Sequence, residues 1–466
     1  MKLSKFKMIY TISVFIALAA FDNIVIGLFP PLFPYIAHSL KLPDAVLGII
    51  SGMNIFVTCI SAIFWGYFAG KFDRKKLIIA GTIIWSLSVL FTALSNSFLE
   101  LFIFQFLTGI GLGCISSIGY SILSDYIHHS RRGLVLSLWG MSQGLGGIIG
   151  ALMASLLGGS ANWRHPFLLV SFIGFLLIFF YIFVEVPSVG SSDPELTDLI
   201  KEGYQYNYNI EFNHIFEIVS KRNNILLFFQ AFFLNMSTGV LIFLPLLYKT
   251  KIMNIGYDTN TALIASGFMY GIFQLGGLTS AFFGHLGDKL QEKTYKARPI
   301  ITSFFVFITM PLYLAMFFVP MTGLKLSTSG NSLIVILNII SQIFTNPYIT
   351  IIFILAFFAS ATQSANTPNW LALITETNLP EHRSTAFSVA NFANGIGRSV
   401  GNFAFSGIVA FISLHSKASN SYIVAMSIFQ VFLVPSALCY ILMTRNITKD
   451  VRELKTILSE RAKNAK

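Results

Sequence analysis

Long apolar runs separated by short polar stretches set the pattern of this chain. Twelve runs are about 20 residues or longer, at 8–32, 44–70, 75–94, 98–125, 133–158, 165–185, 223–250, 260–288, 298–320, 348–376, 384–413 and 421–443. A helix of about 20 apolar residues crosses a bilayer core, and lipid leaves an isolated segment no other way to satisfy its backbone. The pattern therefore predicts an all-α integral membrane protein with twelve transmembrane helices. Two stretches break the alternation. Residues 187–222, with SVGSSDPELTD and GYQYNYN, are polar and part the spans into two groups of six. The apolar part of 321–347 is too short to span and reads as an outer interfacial helix. The expected organisation is an N-terminal six-helix bundle over 1–186 and a cytoplasmic linker over 187–222. A C-terminal six-helix bundle over 223–444 carries the outer insertion 321–347, and 445–466 forms a cytoplasmic tail.

Composition supports the membrane assignment. Hydrophobic residues make up 55% of the chain and charged residues 11%, against about 25% charged in soluble domains. The 47 phenylalanines read chiefly as lipid-facing surface, with an aromatic-lined cavity as the other reading. A net charge of +11 raises the question of nucleic acid, and its distribution answers it. With the N-terminus inside, 24 of the 31 Lys and Arg fall in inner segments, 6 in outer loops, and one, Arg398, inside a span. The positive-inside rule then places both termini in the cytoplasm of a cell-membrane, multi-pass protein and leaves no call for a nucleic-acid partner. The start, MKLSKFK followed by an apolar stretch and ALA, imitates a secretory signal. The run continues past Asp22 and further spans follow, so the first span is expected to stay as an anchor. Cys59, Cys114 and Cys439 lie inside apolar runs and read as small buried hydrophobes. The histidines show no metal-ligand spacing and no GxxxxGK[ST] loop occurs, so no enzyme activity, metal, cofactor or direct ATP drive is expected.

The two halves repeat. LSDYIHHSRRGLVLSLWGMSQGLGGIIG from Leu123 matches ITETNLPEHRSTAFSVANFANGIGRSVG from Ile374 at a constant offset of 251. Asp125 falls on Glu376, Arg132 on Arg383, and Gly144, Gly146 and Gly150 on Gly395, Gly397 and Gly401. GYFAGKFDRKK from Gly66 matches GHLGDKLQEK from Gly284 at an offset of 218. Parallel six-helix repeats with a site at their interface near the midplane describe a secondary transporter.

These features resemble the major facilitator superfamily over nearly the whole length. The family's signature after the second span, G-x-x-x-D-[RK], is intact in the second half as Gly284, Asp288 and Lys289. In the first half Gly70 replaces the aspartate, ahead of Lys71, Arg74, Lys75 and Lys76. The fourth span is similar to the family's R-x-x-x-G pattern with Gln105 for the arginine. Its GIG and YSILSDY resemble spinster-like lipid transporters, although Leu112 and Asn23 stand where those carry an acid and an arginine. The resemblance implies a monomer with gating charges at the cytoplasmic span ends: Asp288 and Lys289, Asp125 with Arg132, and Glu376 with Arg383. Solvated loop charge is the plainer reading of the last four.

Polar residues near the midpoints of their spans mark one depth: Asp22, Asn54, Gln143, Asn235, Gln274, Gln363 and Arg398. Each costs free energy in lipid unless partnered or wetted. Interhelical hydrogen bonds and substrate contact are both open for Asn54 and Gln143. In the tenth span, ATQSANTPNW places Gln363, Asn366 and Trp370 on one helical face, and Pro368 can kink the helix. The substrate-binding candidates are thus Gln363, Asn366, Trp370, Asn235, Gln274, Asn54 and Gln143. Asp22 and Arg398 are the two full charges near the midplane, one in each half. Three roles stand for Asp22: a fixed ion pair, substrate binding, or proton coupling, in which separation from Arg398 favours proton uptake.

The sequence thus points to a secondary active transporter that moves a small organic solute or amphiphile by proton-coupled alternating access, with substrate, protons and bilayer as its partners. A uniporter, a spinster-type lipid or lysolipid transporter, and a non-transporting sensor or scramblase are the rivals.

Overall fold

The computed structural model describes residues 5–42, 44–126, 132–157, 163–187, 212–327, 331–413 and 418–464. It is all-helical, with no strand among the described residues. The first six spans are Lys5–Leu40, Asp44–Ala69, Arg74–Leu94, Phe98–Tyr126, Arg132–Leu157 and His165–Ile182. The last six are Arg222–Asn254, Thr259–Gln291, Ala297–Phe318, Pro347–Thr377, Arg383–Ser413 and Ala418–Met443. Eleven are apolar over a length that crosses a membrane. The fifth, Arg132–Leu157, has 26 residues with its apolar centre at Leu145–Ala154. Twelve crossings in two six-helix bundles bring the start of the first span and the end of the twelfth to one face, called here the termini face.

Local chemistry sets where helices start and bend. Asp73 and Ser97 cap the third and fourth spans by accepting from Lys75 N at 2.8 Å and Glu100 N at 3.3 Å. The tenth span breaks at Ala365, between Pro347–Ser364 and Asn366–Thr377. Pro368 has no N–H for the Ser364 carbonyl, which gives the expected kink its cause. Pro245 does the same in the seventh span, where a 3-10 turn at Val240–Phe243 joins two α-helical pieces. The fourth span carries a π-helical turn at Ile115–Gly119, and the eighth a 3-10 turn at Gln274–Thr279.

Large apolar side chains cover the outer surface, among them Phe64, Phe172, Phe304 and Phe403. This matches the lipid-facing reading of phenylalanine. Among the described residues three amphipathic helices lie outside the spans, Phe212–Ser220 and the two that follow. Ser332–Thr345 falls in the outer insertion and buries Val335, Ile336 and Ile339. Ile447–Asn464 buries Ile447, Val451, Leu454 and Leu458. It is pinned by Asp450 accepting from Asn223 at 2.8 Å and by the Arg461–Glu381 ion pair at 2.8 Å. The expected linker lies largely outside the described residues, with Phe212–Ser220 helical at its end.

The sequence repeat is a packing repeat. A Cβ on Gly146 would meet Ala20 O at 2.4 Å, and one on Gly150 would meet Ile24 O at 2.7 Å. In the other bundle, Gly397 and Gly401 meet Phe232 O at 2.2 Å and Met236 O at 2.8 Å. Small residues thus let the first span lie against the fifth, and the seventh against the eleventh, in the same way. Between bundles, the second span packs on the eleventh and the fifth on the eighth and tenth.

Candidate functional site

A cavity of about 240 Å³ lies between the bundles near mid-depth. Seven of the nine predicted proton-coupling and substrate-binding residues line it: Asp22, Asn54, Asn235, Gln363, Asn366, Trp370 and Arg398. The side chains of Gln143 and Gln274 lie outside the described residues. Asp22 and Arg398 form no ion pair. Asp22 Oδ1 is buried without a hydrogen bond, and no described partner bonds the Arg398 guanidinium.

The amides have definite partners. Asn54 Nδ2 donates to Gln105 O at 2.8 Å and Oε1 at 3.2 Å, tying the second span to the fourth. Gln105 Nε2 in turn donates to Thr92 Oγ1 at 2.9 Å. Asn366 Oδ1 accepts from Gln230 Nε2 at 2.9 Å and from the Tyr440 hydroxyl at 2.7 Å. Gln363 Oε1 accepts from the Tyr313 hydroxyl, and Trp370 Nε1 donates to Leu227 O at 3.4 Å. Asn235 Nδ2 donates to Ala231 O at 3.0 Å and to Asn394 Oδ1 at 2.6 Å, while Asn394 Nδ2 reaches Asn391 Oδ1 at 3.4 Å.

Sequence reasoning missed Asn391 and Asn394, and both signals were present. Asn394 is the repeat counterpart of Gln143 at the offset of 251, and 391, 394 and 398 share one helical face. It also missed Asn23, whose Nδ2 donates to Ala19 O at 2.8 Å, as Asn235 does to Ala231 O in the other bundle.

The cavity is sealed toward the termini face. Its floor holds Trp139, Trp370, Leu371 and Phe387. Beneath it the bundles are bonded together. Ser117 and Ser388 share a hydroxyl hydrogen bond of 2.7 Å, and Ser388 Oγ donates to Ala62 O at 2.9 Å. The Tyr120 hydroxyl donates to Leu371 O at 2.7 Å and bonds Thr375 Oγ1. The Tyr120 ring stacks on Phe387 at 4.3 Å. The π-helical turn around Ser117 holds that side chain in the cross-bundle layer, a frequent place for such turns.

Three of the expected gating acids, Asp125, Asp288 and Glu376, have an arginine partner within their own bundle. Arg298 is the hub: Nη2 meets Asp288 Oδ1 at 2.5 Å, Nε meets Glu376 Oε1 at 3.1 Å, and Nη1 donates to Asn369 Oδ1 at 3.2 Å. Arg74 Nη1 meets Asp125 Oδ2 at 2.7 Å. Each acid at the end of the fourth or tenth span thus pairs with an arginine at the start of the third or ninth. The expected partner Arg132 has a side chain outside the described residues. Arg383 is buried and its Nε donates to Thr375 O at 3.3 Å. Lys289 is exposed. Arg74 and Arg298 were counted only as inner-loop charge, yet both are buried. Among the described residues no group of His, Cys, Asp and Glu can hold a metal.

The comparisons agree with this fold. A bacterial homologue of the human lysosomal transporter spinster, solved in an inward-facing and occupied conformation, superposes with a TM-score of 0.60 at 19% identity, over 96% of this chain and 99% of that one. A 4-hydroxybenzoate transporter of Acinetobacter baylyi is 25% identical over 274 residues, which is 54% of this chain and 58% of the relative. A niacin transporter of the same species is 26% identical over 193 residues, which is 41% of this chain and 43% of the relative. The chain therefore matches less than two thirds of the length of these curated relatives. The profile described as Major Facilitator Superfamily matches residues 12–347. With that match across most of its length, twelve spans in two repeated bundles and a polar cavity between them, the chain belongs to the Major Facilitator Superfamily.

Proposed function

We propose that this protein is a secondary active transporter that moves a small organic solute across the cell membrane by alternating access, coupled to protons through Asp22. The observation that carries the reading is the placement of Asp22 and Arg398. They line one cavity from opposite bundles without pairing. Burying an ionised carboxylate without a partner is costly, and a proton removes that cost. Rocking the bundles changes the distance between the two charges, so proton occupancy and conformation are linked.

The solute is small. At about 240 Å³ the cavity falls below the ~300–1,000 Å³ typical of drug-sized ligands. This supports the small-solute reading over a lysolipid. The two relatives named above are transporters of niacin and of 4-hydroxybenzoate, both small organic acids. The remaining organisation follows the charge count. Bundles over 1–186 and 223–444 join through a cytoplasmic linker at 187–222, with the tail 445–466 on the same side, in a monomer. Asp288, Lys289, Asp125, Arg132, Glu376 and Arg383 serve the cytoplasmic gate by stiffening the span ends that must move together.

The test is substrate-evoked proton movement. Proteoliposomes holding a pH-sensitive dye are presented with small organic solutes. A solute that enters should carry a proton flux with it. Solute entry with no proton movement would make the protein a uniporter.

A further inference from the structure

Sorting the cavity's polar atoms by what they still offer reveals two unlike walls. On the C-terminal bundle the amide carbonyl oxygens are mostly taken. Asn391 Oδ1 accepts from Asn394, Asn394 Oδ1 from Asn235, Asn366 Oδ1 from Gln230 and Tyr440, and Gln363 Oε1 from Tyr313. The nitrogens of Asn391, Asn366 and Gln363 have no described protein partner, and neither does the Arg398 guanidinium. All four residues line the cavity. Asn235 Oδ1 is the one amide acceptor left on this side. The Thr238 hydroxyl donates to Leu234 O at 3.0 Å and so adds a second acceptor. Among the described residues this wall is thus donor-rich and carries one positive charge.

The N-terminal bundle presents the opposite chemistry. Asn54 Nδ2 spends both N–H groups on Gln105 and Asn23 Nδ2 one of its two on Ala19 O, while Oδ1 of each has no described donor. Asp22 adds a carboxylate whose Oδ1 is buried and unpartnered. The hydroxyls of Thr58 and Ser116 donate to Asn54 O and Gly113 O, so they too can only accept from a ligand. The Trp139 indole N–H is its one described side-chain nitrogen donor without a partner. Among the described residues this wall is thus acceptor-rich and carries one negative charge.

The packing repeat explains how the asymmetry arose. Gly27 and Gly239 occupy matching places on the first and seventh spans, and Gly147 and position 398 match at the offset of 251. In the N-terminal bundle two glycines touch: a Cβ on Gly27 would lie 3.0 Å from Gly147 O. In the C-terminal bundle the same place holds Arg398 against Gly239. The positive charge enters where one repeat keeps glycine, and the acid enters at Asp22, whose repeat position is Leu234.

The geometry points to a two-ended site for a small zwitterion. Its cationic N–H-bearing end meets Asp22 with the carbonyl oxygens of Asn23 and Asn54. Its anionic end meets Arg398 with the amide nitrogens of Asn391, Asn366 and Gln363. A monoanion would leave the acceptor wall unmatched and facing Asp22, and a monocation would leave the guanidinium without a counter-charge. Unpaired polar groups in an enclosed site cost affinity. A ligand that satisfies both walls also ties the two bundles together. This deepens the transport reading by naming its substrate class, and it concerns equilibrium binding alone.

The experiment is a binding series on the full-length protein in detergent, read by calorimetry and by the fluorescence of Trp139 and Trp370. Two zwitterions, 4-aminobutanoate and phenylalanine, are compared with their single-charge analogues: butanoate and butylamine, 3-phenylpropanoate and phenethylamine. At least one zwitterion should bind about tenfold tighter than both of its analogues. Arg398→Gln should erase its advantage over the amine, and Asp22→Asn its advantage over the acid. Arg398→Lys, which keeps the charge, should retain part of the preference and guards against misfolding of the glutamine variant. An analogue binding as tightly as its zwitterion, or no zwitterion binding by about 10 mM, would overturn the proposal. Because no gradient is present, failure here leaves proton-coupled transport standing, and failure of proton flux leaves a zwitterion site standing.

Discussion

Arg398 packs against Gly239 so closely that a Cβ on the glycine would lie 2.9 Å from the arginine Cγ and 3.1 Å from its Cα. The backbone contact cannot yield as a side-chain tip would. Gly239 is thus what lets the eleventh span hold a guanidinium at the cavity wall.

Gly239→Ala should therefore act on Arg398. Overpacking of this kind costs about 1–3 kcal/mol, visible as a lower melting temperature. It should also weaken binding of whichever zwitterion the wild type prefers. Gly27→Ala makes the corresponding contact with Gly147 in the other bundle. It should lower melting temperature similarly while sparing affinity. Equal loss of affinity in both variants would show that Gly239 has no special role in placing the arginine.

Arg298 holds two carboxylates, Asp288 and Glu376, while itself buried. Breaking a buried ion pair by removing one partner costs about 3–5 kcal/mol. Arg298→Ala should lower folded yield and melting temperature sharply. Lys289→Ala, at an exposed neighbour, should stay within about 0.5 kcal/mol of wild type. A mild Arg298→Ala phenotype in a thermal melt would mean that water reaches the carboxylates.

The seal below the cavity is built from hydroxyls and rings. Tyr120→Phe removes the bonds to Leu371 O and Thr375 and keeps the stack on Phe387. Ser388→Ala removes the bonds to Ser117 and Ala62 O. A hydrogen bond contributes about 1 kcal/mol, so the two lost in each variant should shift the population by up to about thirtyfold toward opening at the termini face. Cys59 lines the cavity and serves as the reporter in a variant lacking Cys114 and Cys439. Labelling by an impermeant maleimide from that face should speed up in both variants. Unchanged labelling would place the seal elsewhere.

These residues show what the sequence made legible. The spans were plain because a bilayer demands about 20 apolar residues each time. Eleven were placed within about four residues of their ends, and the first runs on to Leu40, past its expected end at 32. The repeat was plain because an acid, an arginine and helix glycines recur at one offset. Asn394 could have been read from that alignment, since it lies under Gln143. Choosing residues by distance from the span midpoint passed over it and Asn391. Arg74 and Arg298 were not legible. Each looks like ordinary basic loop charge, and its burial depends on carboxylates 51 and 78 positions away in the chain. Which atoms of each amide remain free was also out of reach, because that is decided by partners such as Tyr313, Gln230 and Tyr440 on other spans.

The central claim is that Asp22 couples substrate movement to protons. The direct measurement compares wild type and Asp22→Asn in proteoliposomes, using a radiolabelled solute that the wild type accumulates under an imposed pH gradient. The account predicts that Asp22→Asn loses gradient-driven accumulation but still exchanges labelled for unlabelled solute at saturating concentration. Accumulation that persists in Asp22→Asn with its dependence on the gradient intact would contradict it.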